Sequence, residues 1–137
     1  RPAAEGVLMQ GEVEDPDDWT VLILNRGPRV IQPDPERFQA AAGQFQQAIS
    51  AIEQGHIFNA MIHNGRAIAA ALGDNMGRKI CNDMGILGSR VSTISGSGPA
   101  IALIIPSSQE STVRRVKKTL EPREWQILET TFHTGEA

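Results

Sequence analysis

The sequence has few of the features that stabilise small secreted domains or anchor a protein in a membrane. It contains one cysteine, Cys81, so an intrachain disulfide cannot form, which fits a reducing compartment and predicts a cytoplasmic protein. Its longest apolar runs are about six residues, whereas a membrane-crossing helix needs roughly 20. The first residues also lack the basic-then-apolar order of a signal peptide. These absences argue against a disulfide-rich scaffold and against a membrane protein.

Positive charge and aromatic residues are also scarce. The formal net charge is −3 and aromatic residues make up 4% of the chain, so a general attraction to nucleic acid or to anionic membranes is not expected. The main basic group is Arg114, Arg115, Lys117 and Lys118, with no aromatic residues between them to stack on bases. We interpret this group as the solvated end of a helix whose dipole it complements.

The composition otherwise is that of an ordinary soluble globular domain. The chain has 137 residues, of which 40% are hydrophobic and 21% charged, enough for one domain with a real core. Because the chain begins at Arg1 rather than Met, we expect a fragment or a processed product. Residues 1–19, with a candidate short strand at 6–9 and an acidic segment around Pro16, are expected to be a remnant of, or a connector from, an N-terminal domain. Residues 20–137 then form the domain itself.

Hydrophobic periodicity predicts four strands and four helices in residues 20–137. Asp34 and Pro35 are a helix-start pair, Gly55, Gly73 and Gly88 are helix ends, and Ser107 to Glu110 has the pattern of a capping box. In order, the predicted elements are a strand at 20–24, helices at 35–54, 56–72 and 75–87, strands at 91–94 and 100–105, a helix ending near 120 and a strand at 125–132. This order predicts an α+β fold, a ferredoxin-like (split β-α-β) antiparallel sheet with helices on one face.

A short loop rich in glycine and serine separates the two central strands. It consists of Ser95, Gly96, Ser97, Gly98 and Pro99. Glycines allow a backbone to approach a ligand closely, and successive N–H groups in such a turn can form an anion-binding concavity. A long hairpin turn would use the same residues, so composition alone leaves both interpretations open.

The helix at 56–72 is apolar nearly all round, except for a polar interruption in its middle. Asn64 and Arg66 must find a partner there or face a cavity, and structural satisfaction and ligand binding are both open. Gly65 lies between them and could admit a neighbouring backbone or a ligand, at a cost in helix propensity of about 1 kcal/mol relative to alanine.

No metal site or cysteine nucleophile is predicted. His56, His63 and His133 have no ligand spacing with one another or with Cys81, and His56 and His63 fit helix-start and helix-face positions better. Cys81 is most simply a small packed residue.

Two stretches resemble a known enzyme superfamily. The sequence SGSGPA at 95–100, between two apolar strands and before a helix and a last strand, resembles the third conserved motif of the GHMP kinases, in their ferredoxin-like C-terminal domain. Residues 51–73 resemble the archaeal-type shikimate kinases. The matches there are Gly55, Ala60-Met61, Asn64-Gly65 and Ala71-Leu72-Gly73. Glu5 stands where that family has the first of two glycines. The resemblance covers nearly all of this chain but only about half of such an enzyme.

This resemblance implies the C-terminal part of an ATP-dependent kinase, which in its complete form phosphorylates the 3-hydroxyl of shikimate in aromatic amino acid biosynthesis. Residues 95–99 would lie near the ATP phosphates or brace the main ATP loop. Asn64 and Arg66 would lie on the acceptor side, although Arg66 replaces an apolar residue of the family. The PxxxGLGSSA-like ATP loop is missing, so ATP and Mg²⁺ would be bound largely by an N-terminal kinase half. This chain alone is not expected to catalyse.

Two alternatives remain open at this point. Another GHMP member, such as pantoate kinase or homoserine kinase, would share the loop and the fold. The chain could instead be a complete, non-catalytic ferredoxin-like module that binds a ligand or a partner. In a kinase fragment, the surface that contacts the other half would be exposed, so an apolar patch and a homo-oligomer are expected.

Overall fold

The computed structural model describes residue 13 and residues 15–28, 34–95 and 99–132. The candidate strand at 6–9 lies outside these residues. The regular elements are β1 (Trp19–Asn25), α1 (Pro35–Ala40), α2 (Ala42–Glu53), α3 (Ile57–Leu72), α4 (Asn75–Leu87), β2 (Val91–Ile94), β3 (Ile101–Pro106), α5 (Glu110–Leu120) and β4 (Gln126–Thr130). Two short 3-10 helices, Pro16–Asp18 and Glu121–Arg123, precede β1 and follow α5.

The four strands form one antiparallel sheet in the order β2-β3-β1-β4. The two central strands, β1 and β3, are separated in the chain by the four helices α1 to α4 and the edge strand β2. In the register, Leu22 lies opposite Leu103 on β3 and Glu129 on β4. This is the split β-α-β arrangement that the order of elements predicts, so the predicted α+β, ferredoxin-like fold is confirmed.

The main core lies between one face of the sheet and the helices. Alternate residues of the central strands point to this face, as the period of two in a strand requires. Its fully or nearly fully buried members are Leu22, Leu24, Ile101, Leu103 and Ile105 from the central strands, with Ile94, Ile68, Leu72, Ile80, Met84, Val116 and Leu120 around them. The helical members come from α3, α4 and α5. The apolar residues of these helices are spaced so that they share the face that packs on the sheet.

A smaller cluster lies on the opposite face of the sheet. Val21, Val91 and Ile104 are buried there, and half-buried side chains pack against them. Those side chains include Phe58, Met61 and Ile62, which belong to the first half of α3, whereas its second half contributes to the main core. Helix α3 therefore runs past the edge strand β2 and contacts both faces of the sheet.

Two details of the predicted helices are wrong. The helix predicted at 35–54 is two helices, because Ala41 leaves helical geometry with a ψ of 2°. The N–H of Ala41 donates to the carbonyls of Arg37 and Phe38. The capping box at Ser107 is not formed. The Ser107 hydroxyl lies 3.3 Å from that of Thr20, and Gln109 is the N-cap of α5, without a side-chain cap bond. The Ser107 hydroxyl therefore contacts a distant strand residue instead of capping the helix that follows it. The cap at Asp34 is confirmed, since it accepts from the N–H of Glu36 at 3.0 Å.

Within the described ranges, no helix has the length and apolar character that crossing a bilayer requires.

Candidate functional site

The two ends of the loop at 95–99 are held together by backbone and side-chain contacts. The N–H of Ser95 donates to the carbonyl of Ala100 at 2.8 Å, which closes the loop where β2 ends and β3 begins. The carbonyl of Pro99 accepts a hydrogen bond from Nε of Arg26, which follows β1. Gly96, Ser97 and Gly98 lie outside the described residues. The structure therefore places Ser95 and Pro99, the two ends of the loop, at the sheet end where β1 and β2 finish, and shows what holds them.

Arg26 joins this loop to the start of α4 through a buried ion pair. Its guanidinium contacts both carboxylate oxygens of Asp74, with 3.1 Å between Nη1 and Oδ1. Both side chains are 9% exposed, and Oδ1 of Asp74 also accepts from the N–H of Gly77 at 2.9 Å, which caps α4. The hydrogen bond from Arg26 holds the pKa of Asp74 below its ordinary value. One arginine thus fixes the end of β1, the loop and the N-terminus of α4 relative to one another.

Sequence reasoning missed Arg26 and Asp74. Asp74 carried a signal, because an aspartate between Gly73 and a helical pattern is a typical N-cap. Arg26 carried none, since it lies in a turn and its partner is 48 positions away.

Gly65 lies where α3 passes closest to β2. A Cβ atom built at this position would lie 1.9 Å from Oγ1 of Thr93 and 3.0 Å from the N atom of Ile94. The Thr93 hydroxyl also donates to the carbonyl of Met61 at 2.8 Å, one turn earlier in α3. Gly65 therefore admits a neighbouring strand, which is one of the two roles predicted for it.

A cleft of about 630 Å³ lies between α3 and α4, beside β2. Arg66 of α3, Arg78 of α4 and Arg90, just before β2, all line it. Aspartate and glutamate are absent from its described lining. The cleft is therefore electropositive, and low-dielectric walls concentrate the field of such like charges.

The structure does not bring Asn64 and Arg66 together. They are two residues apart on one helix, which places their side chains roughly 200° apart around the axis. Arg66 is exposed and lines the cleft, whereas Asn64 is half-buried and is not among the described lining residues. The acceptor role predicted for both stays a prediction, and only Arg66 lies in a cavity that could serve it.

The remaining chemistry-bearing residues do not converge on a second site. Among the residues that the structure describes, no group of three or more His, Cys, Asp or Glu side chains could hold a metal ion. His133 lies outside them. The basic residues of α5 are exposed, and Lys117 pairs with Glu129 at 2.7 Å on the surface, in line with a solvated helix end.

Cys81 is expected to react slowly in the folded chain. Burial raises the pKa of its thiol from 9.0 to about 11, so at about pH 8 the reactive thiolate should be about a hundredfold scarcer than in the unfolded chain. Alkylation by iodoacetamide, followed by mass spectrometry, should be slower without denaturant by at least about tenfold. The difference should shrink as the pH is raised towards 11. Equal rates with and without denaturant would contradict a packed thiol.

The fold recurs in solved kinase structures. A mevalonate kinase from methicillin-resistant Staphylococcus aureus is similar with a TM-score of 0.56 and 12% sequence identity, over 82% of this chain and 41% of that one. A phosphotransferase related to the CoA biosynthesis pathway gives a TM-score of 0.62 and 12% identity, over 86% and 39% of the two chains. A homoserine kinase from Cytophaga hutchinsonii gives 0.47 and 16%, over 86% and 42%.

No protein-family model matches the sequence, and a search of curated proteins finds no similar sequence. The chain spans about two fifths of the length of the solved kinases, because the alignments cover 41% and 39% of the first two. At 12% identity the similarity is one of fold alone. This chain therefore has an α+β fold that recurs within part of the solved mevalonate kinase and phosphotransferase structures.

Proposed function

We propose that this chain is the C-terminal part of an ATP-dependent small-molecule kinase of the GHMP type, with an alcohol as phosphoryl acceptor. One combined observation carries the proposal. The chain has the kinase fold over 82% or more of its length, and the sequence SGSGPA lies at the junction of β2 and β3 in that fold. A non-catalytic module would need the fold but has no comparable need for this loop.

The loop at 95–99 is assigned to the phosphate side of the reaction. Phosphoryl transfer depends on positioning and on charge stabilisation, to which backbone N–H groups and hydroxyls contribute. The contacts that hold Ser95 to Ala100 and Pro99 to Arg26 support this role, because they fix both ends of the loop. Arg26 is a positioning residue in this proposal, since it acts through the loop.

The acceptor is assigned to the side of α3, with shikimate as the first candidate. The match of residues 51–73 to archaeal-type shikimate kinases favours shikimate over pantoate and homoserine. All three acceptors carry a carboxylate, which a guanidinium binds well. Arg66 lies in an open cleft and suits that contact, and Asn64 keeps its predicted role through the motif match.

ATP and Mg²⁺ are assigned to the complete protein, with most of their contacts in an N-terminal half. The described residues of this chain do not fit a magnesium site, since they include no suitable cluster of acidic ligands. The chain's own contribution is therefore to hold the loop and the acceptor, and we expect it to be inactive by itself.

The test is ATP consumption by the protein extended to include an N-terminal half, with shikimate, pantoate, homoserine and glycerol offered separately. We expect turnover with shikimate and none with glycerol, which lacks a carboxylate. The 137-residue chain serves as the control and should consume no ATP.

Each other outcome removes a defined part of the proposal. Turnover with pantoate or homoserine alone would keep the kinase and discard shikimate. An extended protein that consumes no ATP with any acceptor would contradict the kinase. Turnover by the short chain would contradict the need for a second half.

A further inference from the structure

The α3–α4 cleft is lined by three arginines that form no ion pair with an acidic side chain of the described residues. Arg66, Arg78 and Arg90 approach it from α3, from α4 and from the start of β2. Within the described part of the chain, the ion pairs are Arg26–Asp74, Lys79–Asp83 and Lys117–Glu129, none of which includes these arginines. Like charges that line one cleft repel one another, so an anion bound between them would be stabilised.

The floor of the cleft supplies a second, independent observation. Ser92 of β2 lines it, and Oγ of Ser92 is the buried side-chain polar atom without a hydrogen-bond partner among the described residues. The neighbouring Ser89 differs, because its hydroxyl donates to the carbonyl of Val91. A buried hydroxyl without a partner is uncommon in native structures. An anionic oxygen in the cleft would give it an acceptor.

The walls of the cleft are suited to a ligand of metabolite size. Its volume of about 630 Å³ lies inside the roughly 300–1,000 Å³ of typical small-molecule sites. The guanidinium of Arg90 lies 5.3 Å from the centre of the Phe58 ring, and Arg90 also lines a second cavity with Phe58, Asp15 and Asp18. Gly85 of α4 also lines the cleft, and a Cβ atom built there would meet nothing within 4 Å. The missing side chain keeps the cleft open.

We propose that this cleft binds a small organic anion with two acidic groups, such as a phosphate ester that also carries a carboxylate. One acidic group could use the guanidiniums of one wall, and the second could reach the opposite wall, because the three arginines come from three separate segments. The proposal rests on the proposed function, because it concerns the cleft in which that function places Arg66 against the acceptor, but binding to this cleft requires neither ATP nor a second half.

The experiment is isothermal titration of this chain with 3-phosphoglycerate, with malate as the dicarboxylate, inorganic phosphate as the single-group anion and glycerol as the neutral control. We expect saturable binding of 3-phosphoglycerate or malate, and binding of inorganic phosphate that is at least about tenfold weaker. Whether the ester or the dicarboxylate binds more tightly identifies the second acidic group.

Substitutions locate the bound anion. Arg66→Gln, Arg78→Gln and Arg90→Gln should each weaken binding by about tenfold or more, because each removes a charged hydrogen-bond donor. Gly85→Leu should weaken it as strongly by filling the cleft, and it leaves every charge in place. Arg115→Gln removes an exposed positive charge from α5, outside the cleft, and should leave the affinity within about twofold.

Two results would overturn the proposal. One is the absence of saturable binding for every anion, with circular dichroism confirming a folded chain. The other is binding that Arg115→Gln weakens as much as Arg78→Gln does, which would indicate general surface attraction. A chain that binds the anion while its extended form consumes no ATP would retain this site and lose only the kinase function.

Discussion

Replacing Arg26 by methionine is expected to lower the free energy of unfolding by about 3–5 kcal/mol. Arg26 and Asp74 are each 9% exposed, so the substitution leaves the Asp74 carboxylate in a buried position without its cationic partner. The Pro99 carbonyl loses a hydrogen bond at the same time. Urea unfolding monitored by circular dichroism measures the difference between the wild type and the variant.

The matched control is an exposed ion pair in the same region of the fold. Lys79 and Asp83 lie one turn apart on α4, with 71% and 42% of their side chains exposed. Lys79→Met should cost less than about 1 kcal/mol, because solvent screens the pair and its side chains lose entropy on pairing. Similar losses for Arg26→Met and Lys79→Met would contradict the structural role of the buried pair.

The effect of Arg26→Met should depend on pH in a defined direction. The pKa of Asp74 is lowered from 3.8 in the folded chain, chiefly by the hydrogen bond from Arg26. A lowered pKa contributes stability that is present above the unfolded value and is lost as the pH falls through the folded value. The stability difference between wild type and variant should therefore be larger near neutral pH than well below pH 3.8. A difference that grows on acidification would contradict this assignment.

The elements of the fold could be predicted because their signals are local. The apolar runs of β1 and β3 are short and predict strands. Gly73 and Gly88 follow α3 and α4 in the left-handed conformation that ends these helices. The details that failed depend on distant residues. The bend at Ala41 has no sequence signal, and Ser107 contacts Thr20, 87 positions earlier, instead of capping its own helix.

The candidate site could be predicted only in part, for the same reason. The loop at 95–99 has a recognisable sequence between two strands. Its support by Arg26 and Asp74 depends on how β1 meets α4, which no local pattern contains. The cleft likewise joins Arg66 to Arg78 and Arg90, which are 12 and 24 positions further along the chain. Asn64 and Arg66 belong to the same sequence motif, but residues two positions apart lie on different sides of a helix, so Asn64 lies on another side of α3.

The exposed interface predicted for a kinase fragment has a candidate in the structure. On the face of the sheet opposite the main core, Trp19 and Ile23 are half-buried, and Leu128 of β4, opposite Ile23 in the register, is 60% exposed. These side chains contribute apolar surface to that face, which the first half of α3 also contacts. The predicted self-association through such a surface stays a prediction.

Replacing Gly65 by alanine is expected to reverse the usual effect of this substitution in a helix. Alanine normally stabilises a helix interior by about 1 kcal/mol relative to glycine. At Gly65 the added Cβ would lie 1.9 Å from Oγ1 and 2.9 Å from Cβ of Thr93, and a β-branched side chain in a strand has little freedom to move. We expect a net loss of about 2–3 kcal/mol in the free energy of unfolding, because α3 must shift away from β2.

Two further variants separate this clash from a general intolerance of substitution. Gly85→Ala adds the same methyl group to α4, where nothing lies within 4 Å, and should raise the free energy of unfolding by up to about 1 kcal/mol. The double variant Gly65→Ala with Thr93→Ala lacks the Oγ1 atom that lies 1.9 Å from the added Cβ. Its loss in the free energy of unfolding should therefore be about 1 kcal/mol smaller than the sum of the losses of the two single variants. Additive losses, or a stabilising Gly65→Ala, would mean that α3 does not pack on Thr93. The close approach of α3 to β2 also sets where Arg66 lies relative to Ser92, so the same variant should weaken anion binding in the cleft.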